Sequence, residues 1–425
     1  MKYRYRVLAL LFLLAIITYL DRVCISVAGP RIQEDLHISP EAWGWVVGVF
    51  VIAYGAFEIP TGHLGDRTGP RRVLTRIVLW WSAFTSLTGL ASNYSLLLVT
   101  RFCFGAGEAG AYPNSSVALS RWFPVTERAR AWGIIWMASQ VGGALSPLLV
   151  VPIQARYGWR ASFYLFGIFG VIWGAVWYGW YRDTPAEKSK VTRAELDEVG
   201  SLATTAGHRL PWKRALRNKN LWAILSVAAA HGYGGYFFLS WLHTYLVKGR
   251  GFSEQGLIFS AFPFILGACA NLCGGLTSDA LAKRVGLKWG RRAVGMIGLG
   301  SAALFTVAAI FSASQFLALS FLALSYAGIT FNQPIITVVC LDVAHRHAGT
   351  ITGAMNTSAQ VGSFLSSVLF GYFVTATGSY DFPLVPMAIM LVIGAALWLR
   401  IDPTAELVPE GMPESTHAAA KPAAG

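Results

Sequence analysis

The chain reads as an all-α membrane protein: twelve transmembrane helices in two pseudo-symmetric six-helix bundles. Three observations carry that expectation. The first is composition. Of 425 residues, 55% are hydrophobic and 13% are charged, and the mean hydropathy is +0.51. A soluble globular protein carries roughly 25% charged residues. No soluble core absorbs so much apolar surface, so a soluble enzyme, a disordered chain and a disulfide-built secreted scaffold are excluded. The second is the number of apolar runs. Twelve spans of about 20 residues use about 240 residues and leave the rest for loops and tails. The third is the placement of lysine and arginine, taken up below.

The runs of spanning length begin near Val7, Trp43, Val73, Tyr94, Ala131 and Ala161. A polar stretch rich in lysine and arginine follows, from Arg182 to Lys219. Six more runs begin near Asn220, Glu254, Ala293, Ser314, Gly349 and Phe382. The division is therefore an N-terminal bundle over 1–181, a cytoplasmic linker over 182–219, a C-terminal bundle over 220–400, and a Pro/Ala/Glu-rich tail over 401–425 expected to be disordered. Lys2, Arg4 and Arg6, the apolar stretch after them and Ser26-Val27-Ala28 could suit a cleavable signal. Asp21-Arg22 would interrupt its cleavage region, and cleavage would leave eleven spans, so the segment reads as a retained first span.

Both ends are placed in the cytoplasm. Arg31, Arg156, Arg160, Lys248 and Arg250 then face outward, and Arg22 and Arg101 lie inside spans. The other 27 of the 34 basic residues fall on the cytoplasmic side. Such a bias fixes orientation in a cell inner (plasma) membrane. It accounts for the net charge of +13 without a nucleic-acid partner. The five cysteines, Cys24, Cys103, Cys269, Cys273 and Cys340, all sit in apolar runs and form no CxxC. Neither a disulfide nor a metal site is implied, and no cofactor is expected.

The halves repeat. Gly62, Asp66, Arg67, Gly69, Arg71 and Arg72 follow the second span; Gly275, Asp279, Lys283, Arg284, Gly290, Arg291 and Arg292 follow the eighth. Each set places glycine four residues before aspartate, then glycine and paired arginines. Two related halves suggest a transporter with its site at the repeat interface.

The pattern Gly-x-x-x-Asp-Arg-x-Gly-x-Arg-Arg over 62–72 resembles the signature loop of the major facilitator superfamily, and the six-plus-six layout agrees over nearly the whole chain. Within 19–130 the likeness is narrower. Tyr19-Leu20-Asp21-Arg22, then Arg101-Phe102-x-x-Gly105-x-x-Glu108 with Pro113, then Trp122-Phe123-Pro124-x-x-Glu127-Arg128 together resemble the anion:cation symporter family. That family includes bacterial sugar-acid and aromatic-acid importers and animal vesicular glutamate, sialic acid and phosphate carriers. The resemblance implies arginines at 22 and 101 that hold the substrate anion, and carboxylates at 21 and 108 that couple protons. The sequence departs from the family pattern at Pro70, where a basic residue is common, and near Gly235, where several sugar-acid importers carry glutamine.

The intramembrane charges support the same expectation physically, because a charge within a bilayer is costly and functional by default. Arg22 lies about 22 Å along the first span and Arg101 about 10 Å into the fourth, which runs the other way. Both guanidinium groups should therefore lie at similar depth, able to hold a carboxylate with paired hydrogen bonds. The rival is that each arginine snorkels outward or pairs with an acid. Asp21 and Glu108 are the candidate proton carriers, the rival being a static salt bridge. Glu58 is a third buried candidate, assigned to structure or gating.

Tyr19, Tyr54, Gln140, Asn356 and Gln360 are candidates to line the substrate path, against ordinary interhelical hydrogen bonding. Trp136, Tyr233, Tyr236 and Phe331 could suit an aromatic acid but fit packing better, and His231 fits a bonded packing role. Asp66, Arg67, Arg71, Arg72 and Asp279 should pair charges at the cytoplasmic helix ends and bias a two-state rocking motion. The function expected is proton-coupled symport of an organic anion, foremost a hexonate or hexuronate. The alternatives are uptake of aromatic or other carboxylates, or an anion facilitator or exchanger without proton coupling. A cation exporter is disfavoured because the arginines would repel its cargo. No GxSxG and no clustered metal ligands suggest an enzyme. The partners expected are a small organic anion, protons and the lipid bilayer, with the chain a monomer.

Overall fold

The computed structural model describes residues 2–199, 212–344 and 348–407. In the first half, α1 (Tyr3–Asp35), α2 (Pro40–Thr68) and α3 (Pro70–Gly89) are followed by α4 (Tyr94–Glu108), α5 (Ala111–Trp122), α6 (Val125–Tyr157) and α7 (Trp159–Trp180). Two short helices follow in the linker, α8 (Arg193–Val199) and α9 (Trp212–Ala215). The second half holds α10 (Lys219–Ser240), α11 (Leu242–Thr244), α12 (Ala261–Val285), α13 (Leu287–Ile310), α14 (Gln315–Ala344), α15 (Ala348–Thr377) and α16 (Leu384–Leu397). Among the described residues, eight helical segments are long and apolar enough to cross a membrane. The four other expected spans are α3, which opens with three arginines in its first seven residues, the α4–α5 pair, α10, and α16 with the turn Trp398–Arg400.

The packing shows the repeat directly. In the first half the first rod packs on the fifth (α1 on α6), the second on the fourth (α2 on α4) and the third on the sixth (α3 on α7). The second half uses the same pairs: α10 on α15, α12 on α14, and α13 on α16. Close approach is obtained the same way in each. A Cβ on Gly142 of α6 would come 2.4 Å from the Ile16 carbonyl oxygen of α1, and one on Gly362 of α15 would come 2.0 Å from that of Ala229 on α10. Small residues that let backbones touch are a main source of helix association in lipid.

Helices alternate in direction, so the bundle has a terminal end, where the chain starts, and a distal end. The halves meet through α2 on α15, α6 on α12, and α1 on α10 and α11. Their hydrogen bonds and ion pairs gather at mid-bundle and distal levels. Arg31 pairs with Glu254 and also donates to the Gln154 carbonyl. Ser26 Oγ bonds His243 Nδ1 at 2.8 Å, while Ser260 Oγ bonds the other ring nitrogen at 2.8 Å. Gln33 donates to Thr244 at 3.0 Å.

Three features go beyond the sequence reading. The fourth span is not continuous: it breaks at Ala109–Gly110, where Gly110 has φ +90° and a Cβ would meet Thr61 Oγ1 at 2.2 Å. The linker is not merely a polar loop. Glu195 of α8 accepts from the backbone nitrogens of Tyr3 and Arg4, and Glu198 pairs with Lys2 and Arg4. Two orphan donors at the start of α1 are thereby capped by an anion at the helix terminus that favours it. The tail is anchored as far as Leu407, whose backbone nitrogen donates to Val343 at 2.9 Å, while Asp402 is bonded to Lys288 and Asn220. Residues 408–425 lie outside the described residues.

Candidate functional site

The first half concentrates its intramembrane charges where α1, α2 and α4 converge. Arg22 Nε donates to Glu108 Oε1 at 2.6 Å, with side chains 12% and 1% exposed. The Arg22 guanidinium lies over the Tyr54 ring at 4.6 Å, the Phe50 ring at 5.4 Å and the Tyr19 ring at 5.6 Å. Arg101 lies over the other flank of this aromatic group, 5.0 Å from Phe50 and 4.6 Å from Phe104. The arginines therefore share Phe50 as a floor, and Arg22 reaches inward to an acid rather than outward to the interface.

The sequence places Glu108 two turns beyond Arg101 on one helix. The break after Glu108 makes it the last residue of α4, at the negative end of the helix dipole. That position disfavours an anion, and Arg22 supplies the compensating charge.

Several groups here are left open. Arg101 has no hydrogen bond or ion pair among the described residues, and its Nε is buried. Arg22 Nη2 and Glu108 Oε2 are buried and unpartnered, as are both carboxylate oxygens of Asp21. The groups facing Asp21 are Glu108, Arg101 and the Trp81 indole, whose N–H is directed at the carboxyl. Buried polar groups in native proteins are nearly all satisfied, and exceptions cluster where a ligand, water or proton is handled.

The other expected residues are distributed as follows. Tyr19 and Tyr54 sit on the cluster. Gln140 Oε1 accepts from Tyr326 at 3.3 Å, a bond between the two halves. Gln360 lies where α15 passes Gly55 of α2, and Asn356 is exposed one turn away from it. Tyr236 on α10 faces Arg22, Arg101 and Glu108 from the second half. His231 contacts Asn332 at 3.3 Å, within the second half, in keeping with a packing role.

Of the loop residues, Asp279 and Arg71 have described partners, each within its own half. Asp279 takes Arg291 at 2.9 Å, and Arg291 also reaches Ser278 and Asp342. The guanidinium of Arg71 donates to the Tyr178 carbonyl oxygen at 2.8–2.9 Å, while its backbone nitrogen donates to Asp183. Arg67 and Arg72 are exposed, and the side chain of Asp66 lies outside the described residues.

Sequence reasoning missed Phe50, Trp81, Tyr112 and Asp183. Tyr112 hydrogen-bonds Ser139 at 2.7 Å and stacks on Trp136 at 5.1 Å. Its signal was its position, four residues after Glu108 and just past the glycine break. Asp183 receives the start of α3 and lies 3.7 Å from Arg121. It falls at the first residues of a segment that looked like linker.

Three comparisons bear on this arrangement. The family model of the Major Facilitator Superfamily matches residues 11–367. A "Probable sulfoacetate transporter SauU" of Cupriavidus necator is 35% identical over 408 residues, covering 95% of this chain and 94% of the relative. The "Hexuronate transporter" of Bacillus subtilis is 31% identical over 380 residues, covering 88% and 89%. Among solved structures, a bacterial homologue of the human lysosomal transporter Spinster, inward-facing and unoccupied, superposes with a TM-score of 0.78 at 20% identity, covering 94% of this chain and 96% of that one.

Proposed function

Since the chain belongs to the Major Facilitator Superfamily, whose members are multi-pass membrane transporters, we propose that it is a proton-coupled symporter of a small organic anion, foremost a sugar acid. One observation carries this reading: the buried Arg22–Glu108 pair, flanked by an unpaired cation at Arg101 and an unpaired carboxyl at Asp21. In this state Glu108 occupies the guanidinium that an incoming carboxylate would need. A proton on Glu108 removes that competitor, and Arg22 can then bind the cargo with two parallel hydrogen bonds. Proton and anion binding are linked by this exchange, and the linkage is reciprocal. Asp21, beside Arg101, is the second proton carrier. Tyr19, Tyr54, Gln140, Asn356 and Gln360 supply polar lining.

The terminal end is the cytoplasmic one on this reading, because it carries the excess of basic residues. The distal contacts then close the outer side: Arg31–Glu254 and the serine–histidine–serine bridge at His243 must part when the carrier faces outward. The hexuronate carrier among the relatives supports a sugar acid. A second reading, a compact anion with sulfonate and carboxylate ends, is supported by the sulfoacetate relative and by two guanidinium groups flanking one ring.

The test is uptake into proteoliposomes with an imposed inward proton gradient. Labelled hexonates, hexuronates, aldarates, sulfoacetate and aromatic acids are offered to the wild type and to Arg22→Ala. Accumulation of an acid that disappears with the gradient and with Arg22 is the expected result. Gradient-free exchange would replace the symport reading by an exchanger, and the absence of any anion flux would sink it.

A further inference from the structure

Glu58 is left over by this mechanism. It lies on α2, one turn after Tyr54, so both side chains share a helix face with Cβ atoms about 5–6 Å apart. Tyr54 is itself packed beneath Arg22. Glu58 is half-buried and has no hydrogen bond or ion pair from its carboxyl to any described residue. The charged group that faces it is Arg22, whose Nε is committed to Glu108. Glu58 lies ten residues before the terminal end of α2, about 15 Å along the axis. Its carboxyl oxygens are nevertheless not enclosed, so the group is open to whatever enters the space beside Arg22.

An ionised carboxylate only accepts hydrogen bonds. Its partner must bring a donor, and no described residue provides one. We propose that Glu58 is the second subsite of the anion site: it receives a hydroxyl or ammonium group of the cargo while Arg22 holds the anionic end. The proposal rests on the transport reading above and narrows it. The two subsites are offset by about one helical turn, roughly 6 Å along α2. A singly charged acid with hydroxyl groups along its carbon chain fits both. A dianion places its second negative charge against Glu58 and is rejected, because like charges juxtaposed at a half-buried site repel. Hexonates and hexuronates therefore belong to the accepted class; aldarates and sulfoacetate do not.

The experiment is competition for uptake in proteoliposomes by matched acids: a hexonate, the corresponding aldarate, sulfoacetate, and an unbranched alkanoate of the same length without hydroxyls. It compares the wild type with Glu58→Gln, Glu58→Asp and Arg22→Ala. The wild type should prefer the hexonate over the alkanoate and over both dianions by about tenfold or more, the worth of one charge-assisted hydrogen bond. Glu58→Gln should cut the preference over dianions about tenfold, because the repelling charge is gone. Glu58→Asp keeps the charge and so keeps the rejection of dianions, but weakens hexonate binding. It also serves as the reporter should Glu58→Gln fail to assemble. Selectivity ratios within twofold of wild type in both Glu58 variants, with uptake abolished by Arg22→Ala, would overturn the subsite and leave the transporter reading standing. A wild type that prefers a dianion would also overturn it. Failure of the wild type to move any acid would remove both.

Discussion

Glu108→Gln removes the counter-charge of Arg22 while keeping the size of the side chain. The pair is short, 2.6 Å, and its two side chains are 12% and 1% exposed, so water screens it little. Breaking a buried pair by removing one partner costs about 3–5 kcal/mol, because the remaining charge is left uncompensated. In the variant that deficit sits on Arg22, where an arriving anion can relieve it. Recovery of only a third, about 1.4 kcal/mol, makes binding tenfold tighter. The assay is calorimetric titration of the purified protein with the transported acid at about pH 6 and about pH 8, the range over which proton linkage would show. Wild-type affinity should weaken as pH rises, since the ionised Glu108 recaptures Arg22. Glu108→Gln should bind at least tenfold more tightly than wild type at the higher pH, with a smaller change in Kd between the two, the remainder belonging to Asp21. It should also lose accumulation driven by the proton gradient while keeping exchange. Weaker binding at both pH values, or a pH dependence as large as that of wild type, would make Glu108 a static strut and refute the exchange mechanism.

Three further outcomes are expected. Gly110→Ala should lower the Tm, since a left-handed backbone costs an L-residue about 1–2 kcal/mol and its Cβ would in addition collide with Thr61; an unchanged Tm in a thermal melt would count against the helix break. His243→Phe removes the bridge between Ser26 and Ser260, each of which keeps a bond to a backbone carbonyl, so the loss is about 0.5–1.5 kcal/mol per hydrogen bond. The distal contacts should loosen, and modification of buried Cys24 by an impermeant thiol reagent from that side, followed by mass spectrometry, should accelerate severalfold. The Lys288 ammonium, helped by Thr404, holds the Asp402 carboxyl down to about 2 from its ordinary 3.8. Its contribution is therefore present above about pH 4 and lost as pH falls through about 2. Asp402→Asn should lower the Tm at neutral pH by a small amount, under about 1 kcal/mol for so exposed a pair, and the difference from wild type should vanish in acid.

The architecture was legible because a bilayer leaves few options: apolar runs of one length, separated by basic loops, dictate spans and their alternation. Arg22, Arg101, Asp21 and Glu108 were legible for the same reason, since a charge in an apolar run stands out. Which of them pair was not. Spacing along one helix relates Arg101 to Glu108, but the observed partner of Glu108 comes from α1, through a contact between elements that no periodicity encodes. The break at Ala109–Gly110 was hidden because Gly-rich helices are common in membranes. Phe50 and Tyr112 were hidden because aromatic residues fill lipid-facing and core positions alike, and only the position of a guanidinium over the ring separates the cases. Glu58 was visible as an acid within a span, yet its lack of a partner among the described residues is a property of the packed molecule. Asp183 and Glu195 lie in polar sequence, where a carboxylate carries no signal until a helix terminus is found beside it.

The cap that α8 places on α1 has a consequence for the order of events during synthesis. The backbone nitrogens of Tyr3 and Arg4 wait for a carboxylate about 191 residues later in the chain. At about 5–20 residues per second of translation, that interval is roughly 10–40 s. Throughout it the first helix is already made, with its opening turn uncapped and the guanidinium of Arg4 lacking its Glu198 partner. A helix made early is among the last to be finished. A nascent chain halted before Glu195 would carry an incomplete N-terminal bundle even with all six of its rods present.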